Sequence, residues 1–232
     1  MKGLILYNLE KYIGLVMTLQ QVIDLAKTGE LKNTAVKEDT AAILGYINLG
    51  LLELYKRFVL DTAEVIITMG KTGTVEDPYV MINDNTYQMP PDFLYLLAAY
   101  DELPKNSLAT IAPIQINNER NPLGVNMISW NKIQIPVYVY DAHISLIYVP
   151  SPRYFTITEL NEELPMPVQL VESLLAYIGY RAFASVSANP QGDVGNVYYA
   201  RFEASCETVK QFGIYTAEDM DMKSKFNARG FA

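Results

Sequence analysis

The residue types that most often carry out chemistry are nearly absent from this sequence. Its 232 residues include one histidine, His143, and one cysteine, Cys206. A structural zinc site needs about four ligands, and a catalytic thiol needs a neighbouring base. Cys206 lies at helical spacing from Phe202, as a buried apolar residue would, and His143 follows Asp141 at a predicted turn. We therefore expect no enzyme activity, no metal ion and no cofactor.

Three short motifs imitate functional sites. Gly70-Lys71-Thr72 resembles the end of a phosphate-binding loop, but Val65 stands where the required earlier glycine should be, so a hairpin turn is the better interpretation. Ser129–Lys132 and Lys71–Gly73 match two elements of serine penicillin-binding enzymes, but in reversed order and without the third. Glu162-Glu163 resembles an acid pair and more simply places negative charge near a helix start.

The composition indicates a folded protein that does not grip nucleic acid. Half of the residues are hydrophobic, and 18 Lys+Arg against 26 Asp+Glu give a net charge of −8. One cysteine cannot form an internal disulfide, so folding in a reducing cytoplasm is expected. No apolar run approaches the roughly 20 residues that a bilayer requires, and Asn8 and Glu10 interrupt the first one. We expect neither export nor a membrane partner.

Helical periodicity opens the chain. Residues 1–62 are predicted to form an N-terminal segment and the first helices of a bundle. One helix covers 18–27 and ends at Gly29, where a left-handed cap is expected. A longer helix covers 34–60, with Asn48 off its apolar stripe.

A β-rich insertion is predicted for residues 63–152. It begins with a strand at 63–69 and a hairpin formed by 79–82 and 86–89. A helix is predicted at about 91–102, because Pro90-Pro91-Asp92 is typical of a first helical turn. Residues 103–127 show no period and are interpreted as a long loop. Strands at 132–140 and 143–149 follow, joined by a turn at Asp141-Ala142.

Residues 153–213 are predicted to close the bundle with an αα-hairpin, broken at 189–192. Residues 214–232 form a C-terminal arm, because large apolar side chains alternate with charges too irregularly for one helix face. The fold class is therefore α+β, mainly an α-helical bundle with a β-rich insertion and an extended arm. The arm supplies the candidate partner-binding residues: Tyr215, Met220, Met222, Lys223, Lys225, Phe226, Arg229 and Phe231.

This order of elements resembles the head-to-tail adaptor, or ring, proteins of short-tailed phages, including those of crAss-like phages. The resemblance covers most of residues 34–212 and is carried by four stretches in succession: 47–55 (INLGLLELY), 87–93 (YQMPPDF), 144–150 (ISLIYVP) and 164–181 (LPMPVQLVESLLAYIGYR). In such proteins these are similar to the helix before the insertion, the entry after its first strands, the strand that leaves it and the central helix. The loop at 103–127 and the arm have no counterpart in the resemblance.

The resemblance implies a structural virion protein that forms a homo-oligomeric, dodecameric ring in the neck or tail, assembled in the host cytoplasm. Its implied partners are further copies of the chain, the portal protein and adjacent tail or ring proteins. The ring would form part of the DNA conduit, through which DNA passes without specific binding, and an acidic protein fits that role. Two alternatives stay open: a non-viral soluble protein–protein interaction module, and an enzyme with an unrecognised site.

Overall fold

A computed structural model describes residues 16–68, 81–83, 86–102, 112–117, 124–135, 143–186, 192–211 and 213. In these residues the chain is an α+β protein with four α-helices and two antiparallel sheets. It divides into two compact units. The helical unit combines the described residues of 16–60 and 152–213, and the β unit contains those of 61–151. The predicted boundaries after residues 62 and 152 lie beside these divisions.

Four helices build the helical unit: α1 (Leu19–Thr28), α2 (Thr40–Arg57), α3 (Val171–Val186) and α4 (Gly192–Gln211). Thr18 caps α1 in a capping box: its side chain accepts from the Gln21 N–H, and the Gln21 side chain accepts from the Thr18 N–H. The helix predicted from residue 34 instead begins with a 3₁₀ turn, because the side chain of Asp39 accepts from the Ala42 N–H and starts α2 there. Gly29 has φ −99°, so the expected left-handed cap does not form.

One apolar core joins the four helices. The stripe predicted for α1 is buried as expected, and most of the stripe predicted for α2 is buried with it. Tyr177 and Phe202 extend this core from α3 and α4. The placement of Asn48 off the α2 stripe was wrong, because this residue is 8% exposed and faces the core. Its amide has hydrogen-bond partners there, which removes the cost of burying it.

Helices α3 and α4 form an antiparallel hairpin. Ser205 donates to the Ser173 hydroxyl at 2.7 Å near one end, and Gly195 lies against the Ala184 backbone near the other. Between these contacts the Tyr198 ring occupies the space in which a β-carbon on Gly179 would stand, 2.7 Å from the nearest ring carbon. The absence of a side chain at Gly179 therefore sets how closely the two helices approach.

Two four-stranded antiparallel sheets form the β unit. Their strands are β1 (Ala63–Thr68), β2 (Met81–Asn83), β3 (Thr86–Gln88), β4 (Phe93–Glu102), β5 (Ala112–Ile114), β6 (Asn126–Ser129), β7 (Lys132–Gln134) and β8 (His143–Pro150). The first sheet has the order β1-β8-β4-β5 and the second the order β2-β3-β7-β6. Apolar residues of both sheets share one core, which includes Val65, Tyr87, Ile133 and Leu146.

The helix predicted at 91–102 was wrong, because Phe93–Glu102 is the strand β4. The Leu and Ala residues of this segment favour a helix locally, but β4 lies between β8 and β5 and hydrogen-bonds to both. Two shifts in the register of β4 with β8 also interrupt the alternation of inward- and outward-facing residues by which a strand is recognised in a sequence.

The loop predicted at 103–127 contains ordered strand structure. Residues 112–114 form β5, and an isolated parallel bridge joins Ile116 to Val125. Asn117 has φ 50°. Its side-chain oxygen accepts a hydrogen bond from the Met127 N–H at 2.7 Å, so this backbone donor of β6 has a partner. The strands predicted at 132–140 and 143–149 belong to different sheets, as β7 and β8. The turn predicted at 141–142 lies outside the described residues.

Candidate interaction surface

The eight residues predicted to bind a partner lie beyond the described part of the chain. Tyr215, Met220, Met222, Lys223, Lys225, Phe226, Arg229 and Phe231 all follow Gly213, the last residue that the structure describes. The described residues therefore supply a different candidate surface.

The residues examined for chemistry lie in structural positions. Cys206 is 3% exposed, and burial raises the pKa of its thiol, so the reactive thiolate is disfavoured. His143 begins β8, opposite Thr68 of β1 and Glu102 of β4. The side chain of Glu162 pairs with that of Arg153 at 3.3 Å. Across the described ranges, no three His, Cys, Asp or Glu residues are grouped as a metal site requires.

The strongest electrostatic contact joins α2 to α4. The guanidinium of Arg57 donates two hydrogen bonds to the Glu203 carboxylate, at 2.6 and 2.7 Å, and lies 4.6 Å from the centre of the Phe202 ring. The bonds from Arg57 hold the pKa of Glu203 below its usual range, and a hydrogen bond to Glu203 raises the pKa of Tyr199. These contacts join α2 to α4 through the Arg57 and Glu203 side chains.

A second contact holds the segment after the β unit. The Asn48 amide donates to the Phe155 carbonyl at 3.0 Å, and its oxygen accepts from the Phe155 N–H at 2.9 Å. Arg153 covers the Phe155 ring at 4.4 Å and forms ion pairs with Glu159 and Glu162. Hydrogen bonds from the Thr156 backbone and side chain lower the pKa of the Glu159 carboxyl. These contacts leave Tyr154 72% exposed beside the buried Phe155.

The most exposed large apolar side chain described belongs to Trp130. It lies in the two-residue turn between β6 and β7, beside Ile128, and the two side chains are 74% and 52% exposed. Ile128 is the extra residue at a β-bulge, because Met127 and Ser129 are opposite the consecutive residues Ile133 and Lys132. We call Ile128 and Trp130 the Trp130 tip.

The Trp130 tip has a fixed backbone. The N–H of Met89 donates to the carbonyl of Asn131 at 2.8 Å, and Lys132 pairs with Gln88 of β3 directly after the turn. The two exposed side chains therefore project from an ordered hairpin. A backbone that is ordered before binding reduces the entropy lost on binding.

An open apolar groove lies in the helical unit where the chain enters α1. Its volume is about 530 Å³. Next to Val16, the backbone of residues 17–19 bonds to residues 162–164. Leu164 N–H donates to Met17 O at 3.0 Å, and Leu19 N–H donates to Glu162 O at 3.0 Å. We call this groove the Met166 groove, and it is lined by Val16, Leu60, Glu163, Leu164, Pro165, Met166 and Pro167.

Neither surface was recognised as a binding site from the sequence. Trp130 was noticed only as part of the rejected Ser129–Lys132 motif, and Glu163 only as part of an acid pair. The sequence does hold one signal for the tip, since its single tryptophan stands between Ser129 and Asn131 in a polar turn. The groove combines residues 16, 60 and 163–167, and only the fold brings these together.

Comparisons with known proteins do not identify a family. No protein-family model matches the chain, and no curated protein sequence is significantly similar to it.

Proposed function

We propose that the chain is a structural protein of a phage virion that forms a homo-oligomeric ring between the portal and the tail. One observation carries this proposal: the helical unit is assembled from two separate stretches of chain, and the described residues of the β unit lie between them in the sequence. The phage adaptor proteins that the sequence resembles have this order of helices, β-rich insertion and closing helices.

The helical unit is built as a stable platform for contacts with other chains. Its core contains residues of all four helices, and Phe58, Phe155 and Phe202 are fully buried in it. The Arg57–Glu203 and Asn48–Phe155 contacts tie α2 to residues far away in the sequence. A ring subunit needs such rigidity, because an error in each contact is repeated around the ring.

The charge of the chain supports passage of DNA through the ring. With a net charge of −8, the protein offers no general attraction for phosphates. A conduit that held DNA tightly would slow its release. In this proposal the ring consists of twelve copies, meets the portal on one side and adjacent tail or ring proteins on the other, and assembles in the host cytoplasm.

No membrane step is part of the proposal. Across the ranges that the structure describes, none of the helices combines the length and the apolar character needed to cross a bilayer.

Labelling of virions tests the proposed location. Antibodies raised against the full chain should bind purified phage particles at the neck, between head and tail, when viewed by negative-stain microscopy. A non-viral interaction module would give no specific label on particles, and that result would contradict the proposal. Antibodies against a major capsid protein serve as the control, since they should label the head.

A further inference from the structure

We infer that the Trp130 tip of one copy inserts into the Met166 groove of the next copy. The inference rests on the proposed ring and names the contact that builds it. Ile128 and Trp130 are the inserted apolar side chains, and Val16, Leu164 and Met166 lie on the receiving side.

The groove is open and mainly apolar, and its volume of about 530 Å³ lies within the range of about 300–1,000 Å³ that is typical of ligand-binding clefts. Tryptophan is the residue type most enriched among residues that dominate binding energy, especially when it fills an apolar pocket. Its indole N–H needs an acceptor, and Glu163 is among the residues that line the groove.

Charge supports a second copy as the occupant. Lys132 directly follows the turn that carries Trp130, and Glu163 lines the groove. Neither residue forms an ion pair with any other residue in the described ranges, so each is available to the other in a neighbouring copy. An exposed pair adds little affinity but fixes the register of an apolar contact.

The two surfaces are different, and this determines the symmetry of the assembly. A contact between unlike surfaces of identical chains is heterologous, and it leaves one free tip and one free groove at the ends of every open oligomer. Repetition of the same contact closes a ring when the rotation per subunit divides a full turn. A rotation of 180° would close a dimer in which each tip fills the partner's groove, and smaller rotations close larger rings.

Sedimentation of full-length variants tests the contact. Trp130→Ala should weaken self-association by roughly 30-fold, which corresponds to the loss of a binding hot spot. Lys132→Glu and Glu163→Lys should each weaken it by up to about fivefold, and the double variant should recover most of the loss. Tyr154→Ala is the matched control, because it removes an equally exposed aromatic ring outside both surfaces and should change the association constant less than about twofold.

A mixture of two variants tests the heterologous geometry. Trp130→Ala retains a groove, and Val16→Arg places bulk and positive charge in the groove but retains a tip. Each variant alone should remain monomeric, and an equimolar mixture should form dimers that grow no further. Larger oligomers in the mixture, or no dimers, would overturn the inference.

The single tryptophan provides a direct probe of the contact. Because Trp130 is the only tryptophan, its emission should move to shorter wavelength as the concentration of wild-type protein rises, and it should become less accessible to acrylamide. Three results would each show that the groove does not receive a second copy. The wild-type protein could associate with unchanged tryptophan emission, or it could fail to associate up to about 1 mM. The Val16→Arg variant could also associate as strongly as wild type.

The outcome separates this contact from the proposed function. If Trp130→Ala forms normal rings on the portal, the inferred contact is wrong while the ring stands. If wild-type protein forms the tip-to-groove dimer but never a ring on the portal, the contact stands and the proposed function is wrong.

Discussion

At the scale of single residues, Asn48 shows how one polar side chain connects distant parts of the helical unit. It bonds to both backbone polar groups of Phe155, a residue 107 positions away. Helical periodicity predicted most of the surrounding core, but it could not predict this burial, because the partners of Asn48 are supplied only by the folded chain. An unpaired asparagine at the same position would be strongly unfavourable.

Asn48→Ala should lower the free energy of unfolding by about 2–4 kcal/mol, because two buried hydrogen bonds are lost and the Phe155 N–H and carbonyl are left unpaired. Asn196→Ala is the control, since Asn196 is an exposed residue of α4 and its replacement should change stability by less than about 0.5 kcal/mol. Urea denaturation measures both. Equal effects for the two variants would show that the Asn48 contact does not stabilise the fold.

The Arg57–Glu203 contact should give a pH-dependent contribution to stability. Its two hydrogen bonds lower the pKa of Glu203 from the value of an unperturbed glutamate. The contribution is therefore fully present above pH ~5 and is lost as the pH falls through the folded-state pKa. Because the Glu203 side chain is 43% exposed, its magnitude should stay below about 1 kcal/mol.

Glu203→Gln tests this contribution. The stability difference between wild type and variant should be constant from pH 7 to pH ~5 and should shrink below pH ~4. Glu207→Gln is a suitable control, because Glu207 lies on the same helix and has only a 3.7 Å pair with Lys210. A difference that grows as the pH falls would contradict the assigned cause.

At the scale of elements, the helices could be predicted more completely than the β unit. Each helix carries its own signal, namely apolar residues at intervals of three and four. Two helix boundaries are also marked in the sequence, one by the capping residue Thr18 and one by the break before α4. The sheets depend on pairing between distant segments. The helix predicted at about 91–102 depends on Pro90-Pro91-Asp92 as a first helical turn, whereas β8 and β5 provide the pairing that makes Phe93–Glu102 a strand.

The candidate interaction surface was not predictable in the same way. The residues that line the Met166 groove come from three separate places in the sequence. The exposure of Trp130 depends on a bulge and a turn in the second sheet, and that sheet pairs strands that do not all follow one another in the chain. The residues of the C-terminal arm remain a prediction.

Close packing of α2 on α3 should depend on Gly50. A β-carbon at this position would lie 2.5 Å from Leu174 Cδ1 and 3.1 Å from Tyr177 Cδ1, and Leu174 is fully buried, so both side chains would have to shift within the core. Gly50→Ala should therefore destabilise the protein by about 1–2 kcal/mol, despite the better helix propensity of alanine.

Gly45 provides the matched comparison on the same helix. A β-carbon there would have no atom within 4 Å, so Gly45→Ala should stabilise the protein by about 0.5–1 kcal/mol. Thermal unfolding of the two variants should therefore shift in opposite directions. A shift of both in the same direction would show that α2 and α3 are not packed as described.

At the scale of the whole molecule, the helical unit holds its own core and its own polar contacts. The Arg57–Glu203 and Asn48–Phe155 contacts and the shared core lie before residue 210. The helical unit should therefore fold without the C-terminal arm. The apolar residues of that arm can each gain part of the roughly 1.5–3 kcal/mol available for full burial when they dock on another chain.

Truncation after Gly213 tests the predicted arm. The shortened protein should retain its helical circular dichroism and unfold within a few degrees of the full chain, but it should fail to enter particles. Restoring the arm with Met220, Met222, Phe226 and Phe231 changed to serine should leave assembly defective, because apolar burial is the proposed source of binding. Normal assembly of the truncated protein would show that the arm has no role.

The most direct test of the central claim is reconstitution with the portal of the same phage. Purified full-length chain at micromolar concentration should be mostly monomeric alone, and with assembled portal it should form a closed ring coaxial with the portal, visible in negative-stain averages. Portal particles that remain bare, with the chain still sedimenting as a monomer, would contradict the account.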